Sequence, residues 1–506
     1  MSAETAKRVL FVTAEIFPMA KTGGLADVGA ALPATLAELG VDIRLMMPAY
    51  PQALDTAIRK RVVAERPGWQ GAPPSRIISA LTPDTQLPLF LLDCPPLYRR
   101  GGGPYQDSDG RDWPDNAQRF ALLSRAAAEL ALGAILPDWR ADVVHGNDWH
   151  AGLVPAYLAD RSGQRPATLL TIHNLAFQGV FSGETFASLG LPAPMFSPDG
   201  VEFHGQVSFL KAGIVYSDGL TTVSPTYAKE ILTPDAGCGL DGLLRTREAD
   251  LVGILNGIDE QVWSPANDRH LPERYDAKDL AGKQACKSHV RGELRLDDDE
   301  RPLIAILSRL TKQKMADMVA ESVDRITAQG AQLALIGNGE SEIESSFVSV
   351  AHRHPGRVAV RIGYQEPIAH RLFAGADIVL APARFEPCGL TPIYGMRYGT
   401  LPVVRRTGGM ADAVVPANQQ TTSEGTATGF AFERATGEDM LASIAEALAT
   451  YKDAGRWRRM QLQAMHRESG WMNSARQYLF LYDALVRKAR SDRRSRDDLV
   501  SLQCRM

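Results

Sequence analysis

Cysteine is scarce in this chain: Cys94, Cys238, Cys286, Cys388 and Cys504 are the only five in 506 residues, odd in number and without paired spacing. A disulfide scaffold and a cysteine-built metal knuckle are thereby excluded, and a reduced, cytoplasmic setting is expected. Long hydrophobic runs are missing too. Nothing approaches the ~18 uninterrupted apolar residues of a membrane span. The apolar run after Lys7 and Arg8 is broken by Glu15 and lacks a small-residue cleavage pattern, so it reads as a first strand and not a signal peptide. Neither sign of charge dominates: the net charge is −4, which gives no global attraction to nucleic acid or anionic lipid. Repeats, low-complexity blocks, the dinucleotide glycine fingerprint and the P-loop are likewise absent; at Gly23-Gly24 both the glycine spacing and the Lys-Ser/Thr order fail.

What is present is an ordinary globular composition, 45% hydrophobic and 23% charged, over a length that calls for roughly two to four domains. Short apolar or β-branched runs alternate with helical-length segments: Val9 to Val12, Ile43 to Met47, Val143-Val144, Leu169 to Ile172 and Leu220 to Val223. A second series follows the Pro265 to Pro272 region: Leu303 to Leu307, Leu333 to Ile336, Val358 to Val360, Ile378 to Leu380 and Val403-Val404. Such alternation predicts two α/β domains built on parallel sheets, 1–258 and 259–475, with a hinge near Asn256 to Pro265. Residues 491–506 are basic with interleaved acids and no aromatics, the pattern of a solvated tail and not of a nucleic-acid patch.

Chemistry-bearing residues sit where strands run out. Arg384-Phe385-Glu386-Pro387-Cys388-Gly389-Leu390-Thr391-Pro392 follows a short apolar strand, with Thr391 expected as a helix cap and Pro392 as the first helical residue. A helix start offers free N–H groups and a positive dipole end to a phosphate, while Glu386 can meet what the phosphate carries. Cys388 reads as a small packed thiol. Lys21-Thr22-Gly23-Gly24 precedes another helix, where glycines let backbone approach a phosphate. His145 to His150 and His173-Asn174 follow strands, but without an i, i+4 pair or a carboxylate triad they read as hydrogen-bonding or core histidines, and no metal is expected. Arg309 and Lys314, five residues apart on a loop leaving a strand, suit a diphosphate leaving group.

Lys21 to Asp27, Asp148-Trp149-His150-Ala151-Gly152, His173 to Ala176, Ser308 to Thr311 and the Arg384 to Thr391 run stand in the same order in bacterial glycogen synthases and plant starch synthases, the family-five retaining glycosyltransferases, which the chain resembles from about Val9 to about Val486. The resemblance implies a GT-B fold: two Rossmann-like domains with parallel sheets facing across a deep cleft, and a C-terminal helix, 476–490, crossing back to the first domain. It implies ADP-glucose as donor, the nonreducing end of an α-1,4-glucan as acceptor, and no cofactor. By the same resemblance Lys21 and Gly24 approach the donor phosphates, and Arg309 and Lys314 neutralise the departing ADP. Glu386, with backbone groups from Cys388, Gly389, Leu390 and Thr391, holds glucose; the His173 carbonyl faces the anomeric carbon; Asp148 and Asn256 touch sugar. Three residues depart from the family pattern: Met315 where glycine is usual, a bulk expected to shift the Lys314 loop; Pro392 where glutamine is frequent; and Asn147 where histidine is common.

Overall fold

The computed structural model describes residues 7–160 and 164–503, with side chains through 491. The chain divides into two compact units: Met1–Val223, Ala228–Ile254 and Trp471–Met506 form the first, and Ser224–Tyr227 with Leu255–Gly470 the second.

Among the described residues twelve strands belong to the first unit: β1 (Arg8–Val12), β2 (Asp42–Pro48), β3 (Ile58–Arg66), β4 (Ser75–Leu81), β5 (Pro88–Asp93), β6 (Val143–Asn147), β7 (Ala167–Ile172), β8 (Val180–Phe181), β9 (Glu202–Phe203), β10 (Gln206–Ser208), β11 (Gly219–Thr222) and β12 (Leu251–Gly253). Nine form one sheet in the order β12-β11-β7-β6-β1-β2-β5-β4-β3, while β8, β10 and β9 make a small separate one. Within the large sheet the β3–β4 and β4–β5 pairings are antiparallel and the others parallel. Central strands are apolar because both faces are covered; Val9 to Val12 are fully buried. Strand order reverses beside β1, between β2 and β6, which makes the loops after β1 and β6 the switch-point loops where open α/β sheets hold ligands.

The second unit repeats this plan in a six-stranded parallel sheet, ordered β15-β14-β13-β16-β17-β18. Its strands are β13 (Leu303–Leu307), β14 (Gln332–Gly337), β15 (Val358–Ile362), β16 (Ile378–Ala381), β17 (Leu401–Arg405) and β18 (Phe430–Phe432). Here the switch lies between β13 and β16. The loops leaving them carry Arg309 with Lys314, and Glu386. All ten strands expected from the sequence are present.

The last helix, Met472–Gln503, is longer than the 476–490 expected. Residues 491–503, expected as a tail, continue it, and 504–506 lie outside the described residues. Ala475, Tyr478, Tyr482 and Leu485 recur at helical spacing and are buried. The Tyr482 hydroxyl meets His145 Nδ1 at 2.7 Å, His145 Nε2 meets Thr171 Oγ1 at 2.6 Å, and Thr171 meets Thr221 at 2.6 Å. A buried polar chain thus joins this helix to β6, β7 and β11.

Met315 is packed inward from its loop. It adopts the left-handed conformation usually left to glycine, φ 51° and ψ 25°, just before helix Ala316–Ala328, and its side chain is fully buried in the core of the second unit. Left-handed backbone costs a β-carbon residue about 1–2 kcal/mol, whereas emptying a methionine-sized site costs about 2–5 kcal/mol. Burial outweighs strain, so Met315→Gly is expected to lower stability by about 1–3 kcal/mol. Urea unfolding measures it, and a more stable variant would reverse that ranking.

Candidate active site

In the second unit, the loop after β13 and the loop after β16 are tied together independently of the Lys314–Glu386 pair. Arg384 donates from both terminal nitrogens to Asp317 (2.9 and 2.8 Å) and from one of them to the Lys312 carbonyl. Its backbone N–H reaches Gln313 O at 2.8 Å, and Gln313 Nε2 reaches Phe385 O at 3.3 Å. These bonds set Lys314 directly against Glu386, as a part-buried ion pair. Arg309 is exposed nearby and touches Gln313 Oε1 at 3.3 Å.

Gly389 follows in the left-handed region at φ 80° and caps helix Leu390–Arg397. The cap expected at Thr391 therefore lies two residues earlier, because only glycine fits: a Cβ at 389 would come within 2.6 Å of Met410. Thr391 and Pro392 stand inside the helix, and the Thr391 hydroxyl is 3.4 Å from Leu307 O. Gly408 and Gly409, after β17, press on the same loop. Gly409 N–H donates to the carbonyls of Glu386 (3.2 Å) and Pro387 (3.0 Å), and the Ser224 hydroxyl also donates to Pro387 O at 2.8 Å. Burial pushes the Cys388 thiol up to about 12, with the Glu386 charge adding to the effect. Cys388 is thus a packed thiol. The Asn256 backbone and side-chain amides face its sulfur, and Asn256 Oδ1 is buried without a partner.

In the first unit the loop after β1 holds a group the sequence reading passed over. Glu15 is buried, and its carboxylate accepts from Thr22 N (2.5 Å), Thr22 Oγ1 (2.5 Å), Gly23 N (3.3 Å) and the Tyr105 hydroxyl (2.5 Å). The N–H donors of Thr22 and Gly23 in this glycine turn are thereby taken by Glu15. Gly24 opens helix Gly24–Glu38. Lys21 is bound to Asp27 at 2.8 Å. Tyr105, ninety residues from Glu15 in sequence, stacks on His150 with ring centroids 4.6 Å apart.

Asp148, next after β6, combines positive φ (55°) with burial. It accepts from the His173 N–H at 2.7 Å and from the Asn174 N–H. Burial pushes its carboxyl up to about 7, against the lowering effect of those two donors. The folded pKa lies above the unfolded one, so the stabilising contribution is complete below about pH 4 and lost as pH rises through about 7. Relative to Asp148→Asn, the wild type is expected to lose a few kcal/mol of stability between about pH 4 and pH 8, read by urea unfolding. A pH-independent difference would mean that Asp148 is ionised throughout. The three histidines are each engaged differently: His145 with Tyr482 and Thr171, His150 under Tyr105, His173 with Asn147 at 2.9 Å. Desolvation lowers all three, His145 and His173 to about 3, and they are neutral.

Two doubly wound units, one presenting a lysine with a helix start and the other a lysine, an arginine and a carboxylate at its switch point, define a glycosyltransferase of the GT-B class. Residues 8–246 match the family model described as starch synthase catalytic domain, and 293–461 the one described as glycosyl transferases group 1. The glycogen synthase of Burkholderia thailandensis is 51% identical over 95% of this chain and 91% of its own length. That of Nitrosospira multiformis is 46% identical, covering 95% and 98%. Among solved structures, the catalytic domain of starch synthase IV from Arabidopsis thaliana, bound to ADP and acarbose, superposes with a TM-score of 0.87 at 30% identity, over 95% of this chain and 99% of that one. Sucrose-phosphate synthase from Thermosynechococcus elongatus, at 16% identity and a TM-score of 0.59, shares the fold alone. The chain belongs to the glycogen and starch synthase family.

Proposed function

We propose that this chain elongates α-1,4-glucans, transferring glucose from ADP-glucose to the nonreducing end with retention of configuration and releasing ADP, as a step of glycogen biosynthesis in the cytoplasm. The observation that carries the reading is the direct pairing of Lys314 with Glu386 at the second unit's switch point. A fixed cation beside a carboxylate suits a nucleotide sugar, whose leaving phosphate is anionic and whose glucose presents hydroxyl donors.

Lys21 and Gly24 approach the donor phosphates, and Arg309 and Lys314 neutralise the departing ADP. Glu386 accepts from glucose hydroxyls beside the Cys388 to Thr391 backbone. Asn256 Oδ1, buried and without a partner, accepts from another hydroxyl, and Asp148 contacts sugar. The His173 main-chain carbonyl faces the positive charge developing at the anomeric carbon. Retention follows from same-face attack, in which the leaving phosphate takes the acceptor proton, so Glu386 orients and does not form a covalent bond. Asp27 and Glu386 hold the two lysines.

Incubation with labelled ADP-glucose and glycogen is expected to place label in polymer, with UDP-glucose the poorer donor in competition. Glu386→Gln is expected to retain measurable turnover. Transfer only to a small acceptor, binding without incorporation, or a trapped glycosyl adduct on Glu386 would each reject part of this reading.

A further inference from the structure

We infer that Asn147 is a positioning residue for the transfer step: its side-chain amide fixes the His173 ring in one neutral tautomer and, through it, the backbone that carries the His173 carbonyl. The inference rests on the role proposed above for that carbonyl, but its geometry stands independently.

Asn147 is the last residue of β6 and is fully buried. Its Nδ2 donates to the carbonyl of Val12, the last residue of β1, at 3.1 Å. A carbonyl accepts only, so this bond decides which way the amide faces. Oδ1 must then meet His173, and it lies 2.9 Å from Nε2. An amide oxygen cannot donate, so the proton sits on Nε2 and Nδ1 keeps its lone pair. The neighbouring Asp148 accepts from the His173 backbone N–H at 2.7 Å. Two consecutive residues thus grip His173 at both ends, one by the ring and one by the main chain. The same amide ties this grip to the end of β1, from which the Glu15 and Lys21 loop departs.

An amide is the right chemical type for the position. It orients the ring without charging it, whereas a carboxylate would stabilise the imidazolium. An imidazolium beside a sugar that is acquiring positive charge would oppose the transition state. The other titratable groups around the ring are Asp148 on its backbone side, the neutral His145 and His150, and, acting on these in turn, Glu15 and Arg119. A carboxylate at 147 would therefore be the one new charge in direct contact with the ring.

The test uses the full-length chain labelled with 15N-histidine, together with steady-state kinetics. In the wild type, long-range 15N–1H spectra are expected to show His173 protonated at Nε2 and not titrating between about pH 5 and pH 9. Asn147→Leu, which removes both bonds, is expected to lower kcat about ten- to hundredfold with KM for ADP-glucose changed less than about threefold. Asn147→Asp is expected to bring the His173 titration into that pH range and to add an acid limb to the kcat profile that follows it. Should Asn147→Leu fail to fold, the ring titration of Asn147→Asp decides alone. A wild-type ring protonated at Nδ1, wild-type kcat in folded Asn147→Leu, or an unchanged ring in Asn147→Asp would overturn the inference. A wild type that incorporates no glucose while showing the expected tautomer would instead overturn the proposed function and leave the ring assignment standing.

Discussion

Replacing Lys314 by alanine is expected to lower kcat about hundredfold, equivalent to about 3 kcal/mol of transition-state stabilisation, with a much smaller change in KM for ADP-glucose. The reason lies in when the charge is needed. Lys314 is paired with Glu386. In the role proposed for it, its ammonium counts most as the sugar–phosphate bond breaks and negative charge gathers on ADP, so the loss is expected in the chemical step. The loop itself should survive, since Arg384, Asp317 and Gln313 hold it without Lys314. Arg309→Ala is expected to act in the same sense. Because Lys314 and Glu386 are in contact, the pair Lys314→Ala and Glu386→Gln should be non-additive, the double variant losing less than the summed losses. Single-turnover kinetics with labelled donor make the measurement. An unchanged single-turnover rate with raised KM would assign Lys314 to donor binding only.

Gly409→Ala is expected to be as damaging by a different route. A Cβ built there would lie 1.9 Å from the Cys388 carbonyl oxygen and 2.6 Å from its Cα. Both are backbone atoms, which cannot swing aside as a side-chain end can. Relieving the overlap must displace the Glu386 to Gly389 turn, and Gly408, whose Cβ would meet Glu386 O at 1.9 Å, leaves no room on the adjacent side. Forced overpacking of this kind costs about 1–3 kcal/mol of stability. A shift of about 1 Å in Glu386 and the following helix start lowers kcat on the order of a hundredfold. Gly437→Ala is the control, because the nearest atom to its Cβ is Ser322 Oγ at 3.6 Å; it should leave both readouts near wild type. Thermal unfolding and glucan incorporation decide, and a Gly409→Ala protein with wild-type values for both would show that the turn gives way more easily than its contacts indicate.

The parallel strands were legible because burial on both faces leaves an unbroken apolar run, as in Leu303 to Leu307. The antiparallel β3 was not: Ile58–Arg66 contains Arg59, Lys60, Arg61, Glu65 and Arg66 on a largely exposed edge, and its charges mask the alternation. The strands β8 to β10, at two or three residues each, are too short to carry a period. Of the second unit's site, Glu386, Arg309 and Lys314 were readable as charges at strand ends. The cap at Gly389 was misplaced because a threonine and a proline two residues on satisfy local rules equally well, and only Met410, distant in sequence, selects glycine. Glu15 and Tyr105 were missed for the same reason. Glu15 looked like an interruption in a strand, and its partners are a turn seven residues ahead and a hydroxyl ninety residues away.

The buried chain from Tyr482 through His145 and Thr171 to Thr221 also bears on the order in which the protein is made. Apart from Ser224–Tyr227, the second unit is one uninterrupted stretch, Leu255–Gly470, whereas the first recruits Trp471–Met506 from the far end of the chain. At roughly 5–20 residues per second, a ribosome takes tens of seconds to pass from Ile254 to the last helix. Throughout that interval His145 lacks Tyr482, and the faces of β6 and β7 that pack on the helix stay bare. The part synthesised first is thus the last to be completed, and during synthesis a chaperone would find its apolar surface on the amino-terminal half, for as long as the second unit is being made.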